Sequence, residues 1–249
     1  MGAERESAIG GSVIGIADAL DLTMDAHVHT GFSAGRDSVG VVVSAADQAG
    51  LTAITFADQV GPDTTWLPAY ADAVRRARQR TELVLRVAAE IEVVQPDGWL
   101  ALPADLGHVE AVSVAVSRLP LAGGPVSARD VRGMLAAGEM TAEHVTESLV
   151  AATIEGLRRA SRYAPTQLAR PLNLLAQVGL DDAAMTPDLI AALAEACRET
   201  GTVVEISEAW RSPSVRIVEM LRAAQVALVP ASDARYAGEV GRWQYLRRV

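Results

Sequence analysis

The sequence predicts a single α/β domain in which parallel strands close into a barrel. Short apolar runs alternate along the chain with longer runs of helical period, as expected when each strand is followed by a crossover helix. The 249 residues match the usual size of one such barrel, and no linker, internal repeat or low-complexity tract divides them. Half of the residues are hydrophobic, which suffices for a large core.

The first half of the chain supplies most of the predicted strands. Residues 1–21 are rich in glycine and weakly patterned, so we expect a leader there and the barrel domain over 22–249. In this half we expect strands at 22–29, 52–57, 83–94, 99–102 and 109–117, with helices at 39–49 and 67–80.

The second half begins with a stretch dominated by helical signals, at about 118–166, which we expect to be an insertion. Three further strands are expected at 167–172, 202–207 and 226–232. Helix starts are indicated by a capping box at Ser127 and Asp130, and by an N-cap followed by proline at Thr186-Pro187 and at Ser212-Pro213.

The charge composition excludes several classes of protein. All 22 basic residues are arginine, and the absence of lysine rules out Schiff-base chemistry, a P-loop lysine and a carbamylated-lysine metal site. The net charge of −9, with dispersed arginines, argues against a nucleic-acid partner. No apolar run approaches the ~20 residues of a membrane span and no secretory signal is evident, so we expect a cytoplasmic protein without a membrane partner.

The first predicted strand ends in a pair of histidines. His27 and His29 are two residues apart, and because side chains alternate along a strand, both imidazoles lie on the same face. Such a pair can bind one metal ion at about 2.0 to 2.1 Å per nitrogen. In a barrel of this kind, catalytic residues gather at the carboxyl ends of the strands, which is where this pair lies.

Four carboxylates near other strand ends are candidates for the remaining ligands. They are Asp58, Glu90, Glu92 and Asp233. A buried carboxylate needs a partner, so each is interpreted either as a metal ligand or as part of an ion pair or helix cap.

A series of motifs in the same order as these strands resembles the polymerase and histidinol phosphatase (PHP) family. The matching segments are 25–30 (Asp-Ala-His-Val-His-Thr), 53–59, 88–90, 112–117, 168–171 and 232–235 (Ser-Asp-Ala-Arg), with Val240-Gly241 after them. The resemblance implies a distorted seven-stranded barrel, of (β/α)7 type, that carries a metal-dependent phosphoesterase site.

The departures from the family pattern affect its histidines. Four positions where the family has histidine are occupied by Gln59, Ser117, Arg170 and Arg235, none of which is a good metal ligand. The retained set is His27, His29, Glu90 and Asp233, which in the family surrounds one of three ions. The resemblance therefore implies a reduced site for one divalent ion such as Zn, Mn or Fe.

The new arginines have two interpretations. Arg170 and Arg235 would bind the anionic group of a small substrate, a phosphate or a carboxylate, because a guanidinium pairs bidentately with such groups. Arg36 and Arg118 lie on neighbouring loops, and Gln59 and Ser117 would line the same pocket. In the other interpretation, each arginine only neutralises the acidic residues of a site that has lost its metals.

Two classes of function remain open. The first is a metal-dependent, phosphoesterase-like hydrolase of a small anionic substrate, with Asp58 as the expected general base. The second is a non-catalytic binding or scaffold protein that holds one structural ion or none. An amidohydrolase also begins with His-x-His and ends with Asp at its last strand, but Glu90 and the Asp58-Gln59 pair fit the PHP pattern better.

Overall fold

The computed structural model describes residues 20–249, which form an α/β barrel; this range contains nine strands, seven of them in the barrel, and seven α-helices. The strands are β1 (Met24–Val28), β2 (Ala53–Val60), β3 (Val84–Glu92), β4 (Ala111–Ala115), β5 (Leu119–Leu121), β6 (Gly124–Val126), β7 (Thr166–Leu168), β8 (Val203–Ser207) and β9 (Leu228–Ala231). The helices are α1 (Val39–Gln48), α2 (Leu67–Arg78), α3 (Ala128–Ala137), α4 (Ala142–Ala160), α5 (Asn173–Val178), α6 (Pro187–Thr200) and α7 (Val215–Ala223).

Seven of the strands form one parallel sheet in the order β1-β2-β3-β4-β7-β8-β9. The sheet nearly closes where the chain leaves β9: the backbone amide of His29 donates to the carbonyl of Ala234 at 2.9 Å, and that of Asp233 donates to the carbonyl of His27 at 3.0 Å. These bonds join the first strand to the last, and the predicted seven-stranded barrel is confirmed.

The strands form as predicted because their apolar residues are buried between the barrel interior and the surrounding helices. One core cluster packs the sheet against α4, α6 and α7, and a second packs it against α1 and α2. Phe56 in β2 and Ile91 near the end of β3 are completely buried. The expected strand at 99–102 is wrong: the turn before it folds the chain back, so that Leu100 forms an isolated antiparallel bridge with Val93 at the end of β3.

Two of the three predicted helix starts are confirmed. The hydroxyl of Ser127 accepts a hydrogen bond from the amide of Asp130, and that of Thr186 accepts one from Leu189. The third is wrong, because the N-cap of α7 is Ser214, two residues later than predicted. The backbone of Ser212 is instead engaged in a bridge with the end of β8.

The segment at about 118–166 connects β4 to its neighbour β7. It contains an antiparallel hairpin of β5 and β6, which the sequence did not indicate, followed by α3 and α4. Residues 1–19 of the expected leader lie outside the described residues. In the described part of the chain, no helix is long and apolar enough to cross a membrane.

Candidate metal centre

The structure brings the four predicted ligands together. His27 lies in β1 and His29 follows it, Glu90 lies in β3, and Asp233 follows β9. One nitrogen or oxygen of each side chain lies within 4.8 Å of the corresponding atoms of the other three. All four residues are 3% exposed or less, so the cluster is enclosed by the barrel.

His27 has an acidic neighbour at each ring nitrogen. Its Nδ1 is 2.7 Å from Oε1 of Glu205, a distance that makes a hydrogen bond. Its Nε2 is 3.0 Å from Oε2 of Glu90, but this contact lacks hydrogen-bond geometry, and Nε2 has no hydrogen-bond partner in the described part of the chain. A buried nitrogen without such a partner is uncommon and calls for an explanation.

His29 and Asp233 form the other half of the cluster. Nε2 of His29 is 2.7 Å from Oδ1 of Asp233, and the indole nitrogen of Trp210 donates to the other carboxylate oxygen. Burial alone would raise the pKa of Asp233, but the hydrogen bond with His29 and the positive charges of His27 and Arg170 lower that pKa to about 2. Asp233 is therefore an ionised acceptor at neutral pH.

Arg170 contacts both carboxylates of this cluster. Its NH1 and NH2 groups donate to the two oxygens of Glu90 at 2.6 and 2.7 Å, and NH1 is 3.6 Å from Asp233. Burial opposes ionisation of Glu90, yet the charge and the two hydrogen bonds of Arg170 hold the pKa of that carboxyl well below its usual range. Arg170 is 3% exposed and faces the carboxylates rather than open solvent, as in the interpretation in which arginine neutralises the site.

Both Arg170 and Asp233 have a left-handed backbone, with φ of 43° and 54°. Residues other than glycine rarely adopt this conformation, and those that do are enriched at functional sites. Each of the two residues lies two positions after the end of its strand, β7 or β9, and its side chain contacts the cluster.

Inward-facing polar residues occupy matching positions on four neighbouring strands. Gln59 pairs in register with Glu90, Glu90 with Ser113, and Ser113 with Gln167. The amide of Gln59 donates to Oε1 of Glu90 at 3.1 Å. These residues place a polar layer across the barrel at the level of the cluster.

Two of the residues expected to line a substrate pocket lie beside this layer instead. The hydroxyl of Ser117 accepts a hydrogen bond from Arg170 at 3.3 Å. Arg118 is exposed, and its backbone amide donates to Glu92 at 3.1 Å. Glu92 also accepts from the amide of Ser117 at 2.7 Å and does not join the metal cluster.

Asp58 lies on the opposite side of its strand from Gln59. Its carboxylate accepts hydrogen bonds from the amide and hydroxyl of Thr30, at 2.9 and 2.6 Å, and from the hydroxyl of Ser33 at 2.5 Å. Asp58 thus holds the loop after β1 and is not brought into the cluster. This position does not support its expected role as general base.

A cleft of about 410 Å³ opens beside Asp233. It is lined by Ala34, Arg36, Ala209, Trp210, Asp233, Arg235, Tyr236 and Glu239. Arg36 and Arg235 are exposed, and within residues 20–249 neither guanidinium lies in an ion pair. Two cations without an acidic partner in the described residues therefore line the cleft that adjoins Asp233.

Several residues of the site escaped the sequence analysis, and Glu205 is the most important. It is completely buried in β8 and contacts His27. A lone carboxylate in the apolar run Val-Val-Glu-Ile-Ser was the available signal, since a charge within a buried strand needs a partner. Gln167 and Trp210 were missed as well, because a single amide or indole carries no motif.

No family model matches the sequence, and no curated protein matches it. Solved structures do. A histidinol phosphate phosphatase from Lactococcus lactis subsp. lactis Il1403, complexed with Zn, L-histidinol and phosphate, is 14% identical, with a TM-score of 0.61 over 90% of this chain and 88% of that one. A Listeria monocytogenes protein described as histidinol phosphatase hisK is 13% identical, with a TM-score of 0.60 over 88% and 97%. The chain shares their fold.

Proposed function

We propose that this protein is a metal-dependent hydrolase of phosphoesterase type, which holds one divalent ion through His27, His29, Glu90 and Asp233. The observation that carries the proposal is the convergence of these buried side chains around Nε2 of His27, which has no hydrogen-bond partner in the described part of the chain. In the neutral ring, a nitrogen without a hydrogen-bond partner has a lone pair that can bind a metal ion.

The distances between the four candidate ligand atoms are compatible with one divalent ion. Tetrahedral ligation at about 2.0 to 2.1 Å places neighbouring ligand atoms roughly 3.3 Å apart. The observed separations are 3.0 Å between His27 and Glu90 and 2.7 Å between His29 and Asp233, and all four atoms lie within 4.8 Å of one another. Small side-chain adjustments suffice to reach the ideal spacing.

The charges of the cluster also favour a cation. Glu90, Asp233 and Glu205 contribute three negative charges and Arg170 one positive charge, which leaves two negative charges if both imidazoles are neutral. Burial makes such an excess costly, and one divalent ion neutralises it. Two imidazoles with carboxylates suit Zn, Mn or Fe.

A divalent ion held there supplies Lewis-acid activation of a water and of the scissile group. The residues of this chain would then bind and orient the reactants. Arg170 and Gln59 fix the rotamer of Glu90, and Arg36 and Arg235 bind the anionic group of a small substrate in the adjoining cleft. The phosphate and Zn bound by the Lactococcus lactis protein support a phosphoester as the first substrate to test.

The bidentate pair between Arg170 and Glu90 favours a second candidate, a non-catalytic binding protein. Because this guanidinium already neutralises one ligand, the fold is not obliged to hold a metal. In that case the cleft at Arg36 and Arg235 would bind an anion without turnover.

Metal content and phosphatase activity should be measured together. We expect the wild type to bind about one equivalent of Zn or Mn and to hydrolyse phosphomonoesters, and we expect His29→Gln to lose both. His144→Gln, at an exposed position of α4, is the matched control and should retain both. Metal without turnover on any phosphoester would favour the binding protein, and absence of metal binding at millimolar Zn and Mn would refute the metal site.

A further inference from the structure

A third carboxylate touches the cluster without belonging to the proposed ligand set. Glu205 lies in β8 and is completely buried, and its Oε1 is 2.7 Å from Nδ1 of His27. A carboxylate in such a place costs free energy unless its interactions compensate for the lost hydration. Its partners therefore indicate what it does.

Four donors converge on this carboxylate. Oε1 receives hydrogen bonds from Nδ1 of His27, from the amide of Gln167 at 2.6 Å and from the hydroxyl of Ser113 at 3.0 Å. Oε2 receives the backbone amide of Arg170 at 3.3 Å. Because the amide groups of Gln167 and Arg170 can only donate, the arrangement suits Glu205 as an ionised acceptor, and Nδ1 of His27 then carries the hydrogen between the two side chains.

This contact selects the tautomer of His27. When the ring is neutral, as a metal ligand must be, its hydrogen lies on Nδ1 and points at Glu205, and its lone pair lies on Nε2, the atom near Glu90 that has no hydrogen-bond partner within residues 20–249. The orientation of the ring is fixed at the same time. Nε2 is thereby kept available as a ligand.

The support for Glu205 extends across the barrel interior. Gln167, from β7, also donates to the carbonyl of Ala26 in β1 at 2.9 Å and to the hydroxyl of Ser113, in β4, at 3.1 Å. Side chains from three other strands, β1, β4 and β7, thus hold the carboxylate of Glu205 in place, and it cannot change its rotamer without breaking several buried hydrogen bonds.

We propose that Glu205 is a positioning residue for the metal centre, which orients His27 as an Nε2 ligand and adds a negative charge that favours a divalent cation. This inference rests on the proposed metal site. Carboxylates that hydrogen-bond to a metal-bound histidine typically raise metal affinity by 10-fold to 100-fold.

The test compares Glu205→Gln with Glu195→Gln, an exposed carboxylate on α6. Zn dissociation constants would be measured by competition with a chelating dye, and unfolding temperatures with EDTA and with Zn. We expect Glu205→Gln to weaken Zn binding by about 10-fold to 100-fold and to reduce the Zn-dependent rise in unfolding temperature. Glu195→Gln should match the wild type in both measurements.

The outcomes separate this inference from the proposed function. If the wild type binds no Zn, the metal site itself is refuted. If the wild type binds Zn and Glu205→Gln binds it equally well, with only a lower unfolding temperature in EDTA, Glu205 is merely structural and the inference fails. If Glu205→Gln does not fold, Ser113→Ala removes one donor to the same oxygen, and it should weaken Zn binding several-fold; unchanged affinity in that variant would also overturn the inference.

Discussion

Replacing Arg170 with methionine tests whether the guanidinium neutralises the cluster. Methionine keeps much of the length of the side chain but removes its charge and its donors. The variant loses two hydrogen bonds to Glu90, at 2.6 and 2.7 Å, and the longer contact of 3.6 Å to Asp233. In the metal-free protein, the carboxylate of Glu90 is then left buried without its main partner.

The expected cost is large because both partners are only 3% exposed. Removing one member of a buried pair typically destabilises a protein by about 3 to 5 kcal/mol. For a domain of this size each kcal/mol lowers the unfolding temperature by about 2 to 4 °C, so the expected decrease is about 6 to 20 °C.

Thermal unfolding in EDTA, followed by circular dichroism, measures this decrease. Arg75→Met is the matched control, because Arg75 is 65% exposed and its pair with Asp72 lies on the surface of α2; surface pairs are worth about 0 to 1 kcal/mol. Zn should restore more stability to Arg170→Met than it adds to the wild type, since the ion replaces the lost positive charge. One surface pair corresponds to a shift in unfolding temperature of roughly 2 to 3 °C. If Arg170→Met unfolds in EDTA within that range of the Arg75→Met control, Arg170 does not stabilise the buried cluster and the reasoning is refuted.

Two further predictions concern positions away from the site. Burial opposes ionisation of Glu110, but hydrogen bonds from Arg78 and from the amide of Val87 lower the pKa of this carboxyl. The stabilisation that ionised Glu110 contributes is therefore complete above the ordinary glutamate pKa and is lost as the pH falls through the lowered pKa of the folded protein. Urea midpoints of the wild type and Glu110→Gln should therefore differ at pH 7 and converge in acid, and a constant difference would contradict this. Gly98 and Gly138 both have positive φ. A Cβ on Gly98 would lie 2.2 Å from the backbone of Glu155, whereas a Cβ on Gly138 would have no neighbouring atom within 4 Å in the described part of the chain. Gly138→Ala should cost about 1 to 2 kcal/mol in urea unfolding and Gly98→Ala clearly more, and equal costs would show that this close approach is absent.

Much of the barrel could be predicted from the sequence because strand and helix periods differ and the strands are strongly apolar. The His27 and His29 pair could be placed on one face for the same reason, since residues two apart in a strand share a side. The identity of Glu90 and Asp233 as their neighbours came from the resemblance, because no local pattern says which strand ends meet.

The remaining details depend on geometry that the sequence does not encode locally. Asp58 and Gln59 are adjacent, so only one of them can face the interior, and the pairing of Gln59 with Glu90 decides which. The direction of Arg170 depends on a left-handed backbone that its residue type does not suggest. The sequence therefore could not decide whether Arg170 binds an anionic substrate or pairs with a carboxylate of the protein, and the structure was needed for this.

The seam between β1 and the segment after β9 has a consequence for how the protein is made. His29 and Asp233 are 204 positions apart, yet they meet at this seam. A ribosome must therefore add a further 204 residues after His29 before Asp233 is made. A nascent chain that ends before Asp233 lacks the bonds that close the barrel and one residue of the proposed metal site, so we expect premature termination products to be degraded by cellular proteases.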